Sequence, residues 1–203
     1  MNASHEFPNA EKNRKQNAIL EASASSIALC GMGVQTEAIA KKAGVSKGTL
    51  FLYFSSKEEL FCQLHRYLKN DLLFAVATEY PANESVERQL RHIWECYLEW
   101  AYRANAKYKA LRQLEMSSRF HKISYENSLF SAIDYVTSTV NQYDIPRDQR
   151  ATFLFLCNIM ESIAATVLEM AEINPSGFGD FKSLGWITFW GAAVACITLS
   201  ESG

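Results

Sequence analysis

Proline and glycine are scarce, four and nine in 203 residues. So few turn formers argue against a many-turned β architecture and for long helices. The five cysteines, Cys30, Cys62, Cys96, Cys157 and Cys196, are odd in number, widely spaced and form no Cys-x-x-Cys. That is not a disulfide framework; each lies beside apolar residues and reads as a reduced, buried, small hydrophobe of a cytosolic protein. Only four histidines occur. His92 and Cys96 share one helix face, but no third ligand lies near in sequence, so neither a metal nor another cofactor is expected. No nucleophile–base spacing, phosphate-binding loop or metal cluster occurs, which excludes an enzyme. The polar opening MNASHEFPNAEKNRKQ has no apolar core of a signal peptide. No stretch of about eighteen residues is uninterruptedly apolar, so no membrane span or membrane partner is expected and the protein reads as cytoplasmic.

What is present is apolar and unevenly charged. Hydrophobic residues make up 48% and charged residues 21%, enough for a packed core. The formal net charge is −2. Residues 1–57 hold seven Lys/Arg against four Asp/Glu, and residues 58–203 hold thirteen against eighteen. A basic head on an acidic body has the right sign for a DNA-binding end joined to something else.

Apolar spacing divides the chain into helices. Residues 1–8 read as a frayed arm ending at Pro8. The first helix opens on Lys12, Arg14 and Lys15, carries Ala18, Ile19, Ala22, Ile27 and Ala28 on one stripe, and stops at Gly31 and Gly33. Its basic start is either a solvated face or a phosphate contact. A helix from Lys57 to about Glu79 follows a Ser55-Ser56 break and ends before the turn YPANES. The clearest amphipathic helix runs from about Glu84 to Arg103, a shorter one from Lys107 to Ser117, and another from Ser124 to Tyr143, with a stop at Asp144-Ile145-Pro146.

Two last helices, about 150–171 and 181–199, are apolar all round, with NPSGFGD as the loop between them. A helix apolar all round must be buried all round. A body of this size rarely buries two within itself, so one face is expected to pack against a second copy, making a four-helix homodimer interface.

The stretch VQTEAIAKKAGVSKGTLFLYFSSK, residues 34–57, reads as a helix-turn-helix. Ile39, Ala40 and Ala43 give the first short helix its apolar side, Gly44 the tight turn, and Val45 plugs the corner. Ser46 is a good N-cap for a second helix, Lys47 to Phe54. Leu50 and Phe54 are one turn apart and face inward, leaving Lys47, Gly48, Thr49 and Tyr53 on the open side. A cation there can reach a guanine edge or a phosphate, the glycine permits close approach, and the hydroxyls can position on phosphates.

AGVSKGTLFLYFSSKEEL, eighteen consecutive residues, resembles the DNA-binding signature of the TetR family of bacterial transcriptional regulators. The resemblance implies that Thr49 and Tyr53 contact phosphate, that Lys47 and Leu52 face bases, and that Lys57 meets the DNA backbone. Phe51 stands where the family often has Tyr, which removes one hydroxyl. Gln35 stands where a capping Thr is usual, so either Thr36 caps one residue later or the cap is weaker. Thr36 and Ser46, at the two helix starts, complete the expected DNA-binding set. The implied architecture is all-α: a three-helix helix-turn-helix head, residues 9–57, and a helical ligand-binding and dimerisation bundle, residues 58–203.

The body, through HIWECYLEW, KALRQLEMS and LGWITFW, resembles the multidrug-responsive branch of efflux repressors related to RamR, where Trp94 matches an aromatic pocket floor. Trp94, Tyr97, Trp100, Phe153, Met160 and Glu161 could form an adaptable apolar wall with one carboxylate, suited to a small lipophilic or cationic effector. Ordinary core is the competing reading for the aromatics, and a paired structural or dimer-interface acid for Glu161. His65 stands near the same expected region. The expected function is therefore a sequence-specific DNA-binding regulator, a ligand-released repressor acting as a homodimer on palindromic double-stranded DNA. The alternative is an architectural DNA-binding protein of the same fold without an inducer.

Overall fold

The computed structural model describes residues 6–117 and 150–200. Among these residues every regular element is helical: α1 (Glu6–Cys30), α2 (Thr36–Lys42), α3 (Lys47–Tyr53), α4 (Lys57–Ala77), α5 (Val86–Arg103), α6 (Asn105–Met116), α7 (Arg150–Ile173), a 3₁₀ turn (Pro175–Gly177) and α8 (Phe178–Ser200). The helix expected over 124–143 and its stop at 144–146 lie outside the described residues.

Three expectations change. The arm expected to fray up to Pro8 is helical from Glu6. Proline is tolerated in a first turn because the N–H it lacks would have had no helical partner. The expected loop NPSGFGD is shorter than it reads. Gly177 N–H donates to Asn174 O at 3.1 Å, and α8 begins at Phe178 with Asp180 in its first turn, where an acid complements the helix dipole. Of the four cysteines whose side chains are described, all free thiols, only Cys157 is buried; Cys62 and Cys96 are half-buried and Cys30 is exposed at the end of α1. Apolar neighbours in sequence do not fix which face of a helix a residue takes.

The chain forms two compact units. The first takes the chain to Asp71 and resumes at Ala104, so it includes α6; the second takes Leu72 to Arg103 together with α7 and α8. The boundary between these two units falls inside α4.

In the first unit α1 packs along α6 and against α2, and α2 against α3. Ile19 and Ile27 of α1, Ile39 of α2, Leu50 of α3, and Leu60, Leu64 and Leu68 of α4 are fully buried. A polar clamp explains why α6 belongs here. Lys107 Nζ lies 2.8 Å from Glu21 Oε1 on α1 and 3.2 Å from Asp71 Oδ2 on α4. Tyr67 of α4 donates its hydroxyl to the same Glu21 carboxylate. Burial would lower the Lys107 pKa, but the hydrogen bond to Glu21 and the charges of Asp71 and Glu21 outweigh it and raise it. Burial and the bond to Glu21 push the Tyr67 phenol up to about 12. The lysine therefore stays charged and the phenol protonated across ordinary pH.

In the second unit α5 packs on α7 and α8, which lie along each other. Trp94, Tyr97 and Leu98 of α5, Met160 and Ala164 of α7, and Trp186, Phe189 and Ala193 of α8 form its core. The segment Leu154–Ile173 is long and apolar enough to cross a membrane by length and composition. It packs against its neighbours α5 and α8 and carries the buried Glu161.

Trp94 sets the spacing of this unit. Its ring is 1% exposed and its Nε1–H donates to Lys182 O at 3.0 Å. A Cβ on Gly185 would sit 2.7 Å from the Trp94 ring and 2.8 Å from Val167 Cγ2. Alanine normally favours a helix over glycine by about 1 kcal/mol. Here overpacking against a locked ring, about 1–3 kcal/mol, should outweigh that gain. Gly185→Ala should therefore lower the urea midpoint and shift tryptophan emission; an unchanged or raised midpoint would mean the ring yields freely.

Candidate nucleic-acid interface

The two short helices are joined by a corner that each residue of the turn helps close. Ala43 ends α2 in helical geometry, its N–H bonded to Ile39 O at 2.9 Å. Gly44 takes φ +69°, left-handed backbone that costs a side-chain-bearing residue energy, and Val45 N–H returns to Ala40 O at 3.0 Å. Ser46 is extended, and its Oγ accepts from Thr49 N–H at 3.0 Å, the expected N-cap of α3. The Thr49 hydroxyl lies 2.8 Å from the same Oγ. Leu50 and Phe54 are wholly buried, as their spacing requires.

The outer side of α3 is open. Lys47, Gly48 and Leu52 are exposed, Leu52 to 85%, and Thr49 and Tyr53 are half-buried. Phe51, where the resemblance expects a tyrosine, is also exposed. A cation, a glycine, a hydroxyl and an apolar tip thus share one helix turned outward, the inventory of a helix that enters a groove.

Two expected residues have other surroundings. Thr36 is the first residue of α2, not its cap; Gln35 holds the cap position and makes no side-chain cap bond. Of the two alternatives, the weaker cap is the one realised. The Thr36 side chain is largely buried, its hydroxyl donating to Glu37 Oε2 at 3.3 Å. Lys57 donates to Met32 O at 3.0 Å and lies 5.2 Å from the centroid of Phe61, so it braces the turn after α1.

One residue of this surface escaped the sequence reading. Glu37, in the first turn of α2, forms an ion pair with Lys47. The hydrogen bond from Lys47, then one from its own backbone, holds the Glu37 carboxyl below its ordinary range. The signal was faint: an acid in a helix's first turn reads as a dipole partner, and the lysine it meets is ten residues away.

In the second unit Trp94, Tyr97, Trp100 and Met160 are buried, and Glu161 is 3% exposed. All five stand on α5 and α7, helices that pack together. The Phe153 side chain lies outside the described set. His65 belongs to the first unit, 3.8 Å from Glu115. His92 Nε2 lies 3.0 Å from Val76 O and 3.5 Å from Cys96 Sγ. No cluster of three metal-ligating side chains exists among the described residues.

A glycine-turned pair of short helices, the second capped by Ser46 and the first packed on α1, defines a helix-turn-helix. Residues 19–64 match the model of the bacterial regulatory proteins of the tetR family. The described fold is similar to a tetR-family transcription regulator from Shewanella sp. PV-4, with TM-score 0.71, 21% identity, and 88% of this chain and 97% of that chain covered. It is similar also to a TetR-family regulator from Marinobacter aquaeolei VT8, with TM-score 0.66, 17% identity and 91% and 97% covered. A third is the TetR-like regulator LfrR from Mycobacterium smegmatis in complex with proflavine, with TM-score 0.55, 16% identity and 87% and 95% covered. Residues 19–64 are thus similar to the tetR-family model, and the described fold is similar to those of TetR-family transcription regulators.

The capped corner should be measurable. Ser46→Ala removes the acceptor at the start of α3 and should cost about 1 kcal/mol in urea unfolding. Gly44→Ala forces a Cβ into left-handed backbone and should cost about 1–2 kcal/mol. A Ser46→Ala change of zero would mean that water serves Thr49 N–H equally well.

Proposed function

We propose that the protein is a homodimeric repressor that binds a palindromic operator through α3 and releases it when a small molecule occupies the body. The observation that carries the dimer is an apolar face left open on the last two helices. On α7, Phe155 is 57% exposed and Ile173 also lies open; on α8, Leu184, Ile187 and Val194 do, Ile187 to 68%. Large side chains of this kind on two neighbouring helices favour burial against a matching surface. A second copy supplies one by two-fold symmetry. Two α3 helices would then read half-sites about one helical turn of DNA apart.

In this reading Lys47 reads a base edge and Tyr53 and Thr49 position on phosphates. Ser46 and Gly48 let α3 approach closely, and Leu52 lies against bases. Thr36 and Lys57 act at the margin of the contact, from their largely buried and bracing positions. Trp94, Tyr97, Trp100, Phe153, Met160 and Glu161 form the effector wall, and a lipophilic cation is the favoured class. Support comes from the buried aromatic and acidic character of α5 and α7, and from the neighbour described in complex with proflavine. Operator and effector would weaken each other by the same coupling free energy, on the order of 1–3 kcal/mol. The enclosure of Trp94 by Gly185 and Lys182 favours a second reading, an architectural DNA-binding protein without inducer, in which that ring is core alone.

Ile187→Glu should turn a dimer into a monomer in sedimentation and abolish tight binding to the palindrome. A wild type that sediments as a monomer at micromolar concentration would defeat the dimer. On DNA, Lys47→Ala should lower discrimination between operator and random duplex, while Tyr53→Phe weakens both alike. Equal loss on both for Lys47→Ala would remove its base-reading role. Titration of tryptophan emission with lipophilic cations should saturate; a flat response across cations, bile-acid-like amphiphiles and fatty acids would favour the inducer-free reading.

A further inference from the structure

The acid at the start of α2 is the inference the head carries furthest, and it rests on the reading of α3 as the groove helix. Glu37 and Lys47 face one another across the two helix starts, both side chains more than half exposed. The bond joins the cation at the start of α3 to an anion that, facing DNA, would lie among phosphates. Lys41 and Lys42 at the far end of α2 are exposed. Glu37 also takes a hydrogen bond from its own backbone and one from the Thr36 hydroxyl, which donates to its second oxygen.

We propose that Glu37 is a specificity-determining residue that keeps Lys47 from phosphate on random DNA and yields it to a guanine edge at the operator. The physics is a competition for one ammonium group. A phosphate is a strong partner available at every sequence, so a free lysine at this place would strengthen binding everywhere through counterion release. Paired with Glu37 it is neutralised, and a neutral pair gains little from the backbone. A guanine offers two acceptors at one edge, a geometry that only the right base pair supplies, and there the lysine can leave the carboxylate. The carboxylate is then free to accept from a cytosine amino group or to be solvated. Glu37 thus acts by lowering affinity for the wrong sequences, as an unfavourable contact does in any selective interface.

The test is a double-mutant cycle on the full-length protein with Glu37→Gln, Lys47→Ala and the pair combined. The probes are a pool of random 30-base-pair duplexes and the tightest duplex enriched from that pool by repeated selection. Glu37→Gln should raise affinity for the random pool about threefold to tenfold and steepen its salt dependence by about one unit per protomer. It should lower the ratio of selected to random affinity by a similar factor. In the Lys47→Ala background the same substitution should change random binding less than about twofold. An equal gain in both backgrounds would mean general charge repulsion and would overturn the proposal, as would no gain in either. Failure of the wild type to bind any duplex at low salt would overturn the DNA-binding assignment itself, and this inference with it.

Discussion

Two helices of seven residues each cannot stand alone, because a nucleus that short gains too few hydrogen bonds for the backbone order it requires. The head therefore depends on a single act of burial. Ile39, Leu50 and Phe54 pass wholly out of water within a unit whose core also holds Ile19 and Ile27 of α1 and Leu60 and Leu64 of α4. Everything on the outer side of α3 follows from it. Once Leu50 and Phe54 are fixed inward, the 3.6-residue repeat turns Gly48 and Leu52 outward, while Lys47, one turn before Leu50, is exposed because it is the first residue of the helix. The Gly44 turn and the Ser46 cap set the angle and the start of the helix; the core sets its rotation.

Polar groups then decide what the head includes. Lys107 reaches from α6 to acids on both α1 and α4, and Tyr67 hydrogen-bonds one of those acids. Partly buried and multiply bonded, such a network specifies an arrangement more sharply than apolar contact does. It joins α6, distant in sequence, to the first unit, while α5 immediately before it belongs to the other.

The body is organised by a different constraint. Gly185 leaves room for the Trp94 ring, whose N–H is satisfied by the Lys182 carbonyl, so polar and apolar ends of one side chain are served by one helix. That leaves the other face of α8, and part of α7, apolar and open. Both helices are rich in apolar residues because they have two packing tasks, one inside the unit and one proposed outside it.

Much of this was legible in the residues. The corner Ala43-Gly44-Val45-Ser46, the inward pair Leu50 and Phe54, the outward Lys47 and Gly48, the amphipathic α5 and the doubly apolar α7 and α8 all follow from local propensity and periodicity, which act over a turn or two of chain. The early start of α1, the short turn before α8 and the exposure of Cys30 were not legible, because they turn on how helix ends meet solvent. Nor were the bond from Lys57 to Met32, the clamp centred on Lys107, the seat of Trp94 on Gly185, or the pairing of Glu37 with Lys47. Each joins residues that sequence spacing does not relate. The sequence by itself determined which residues could be helical, which faces were apolar and where the turn must fall. Only the tertiary structure decided which charges meet and which rings are enclosed, since those depend on distances between elements that no local pattern carries.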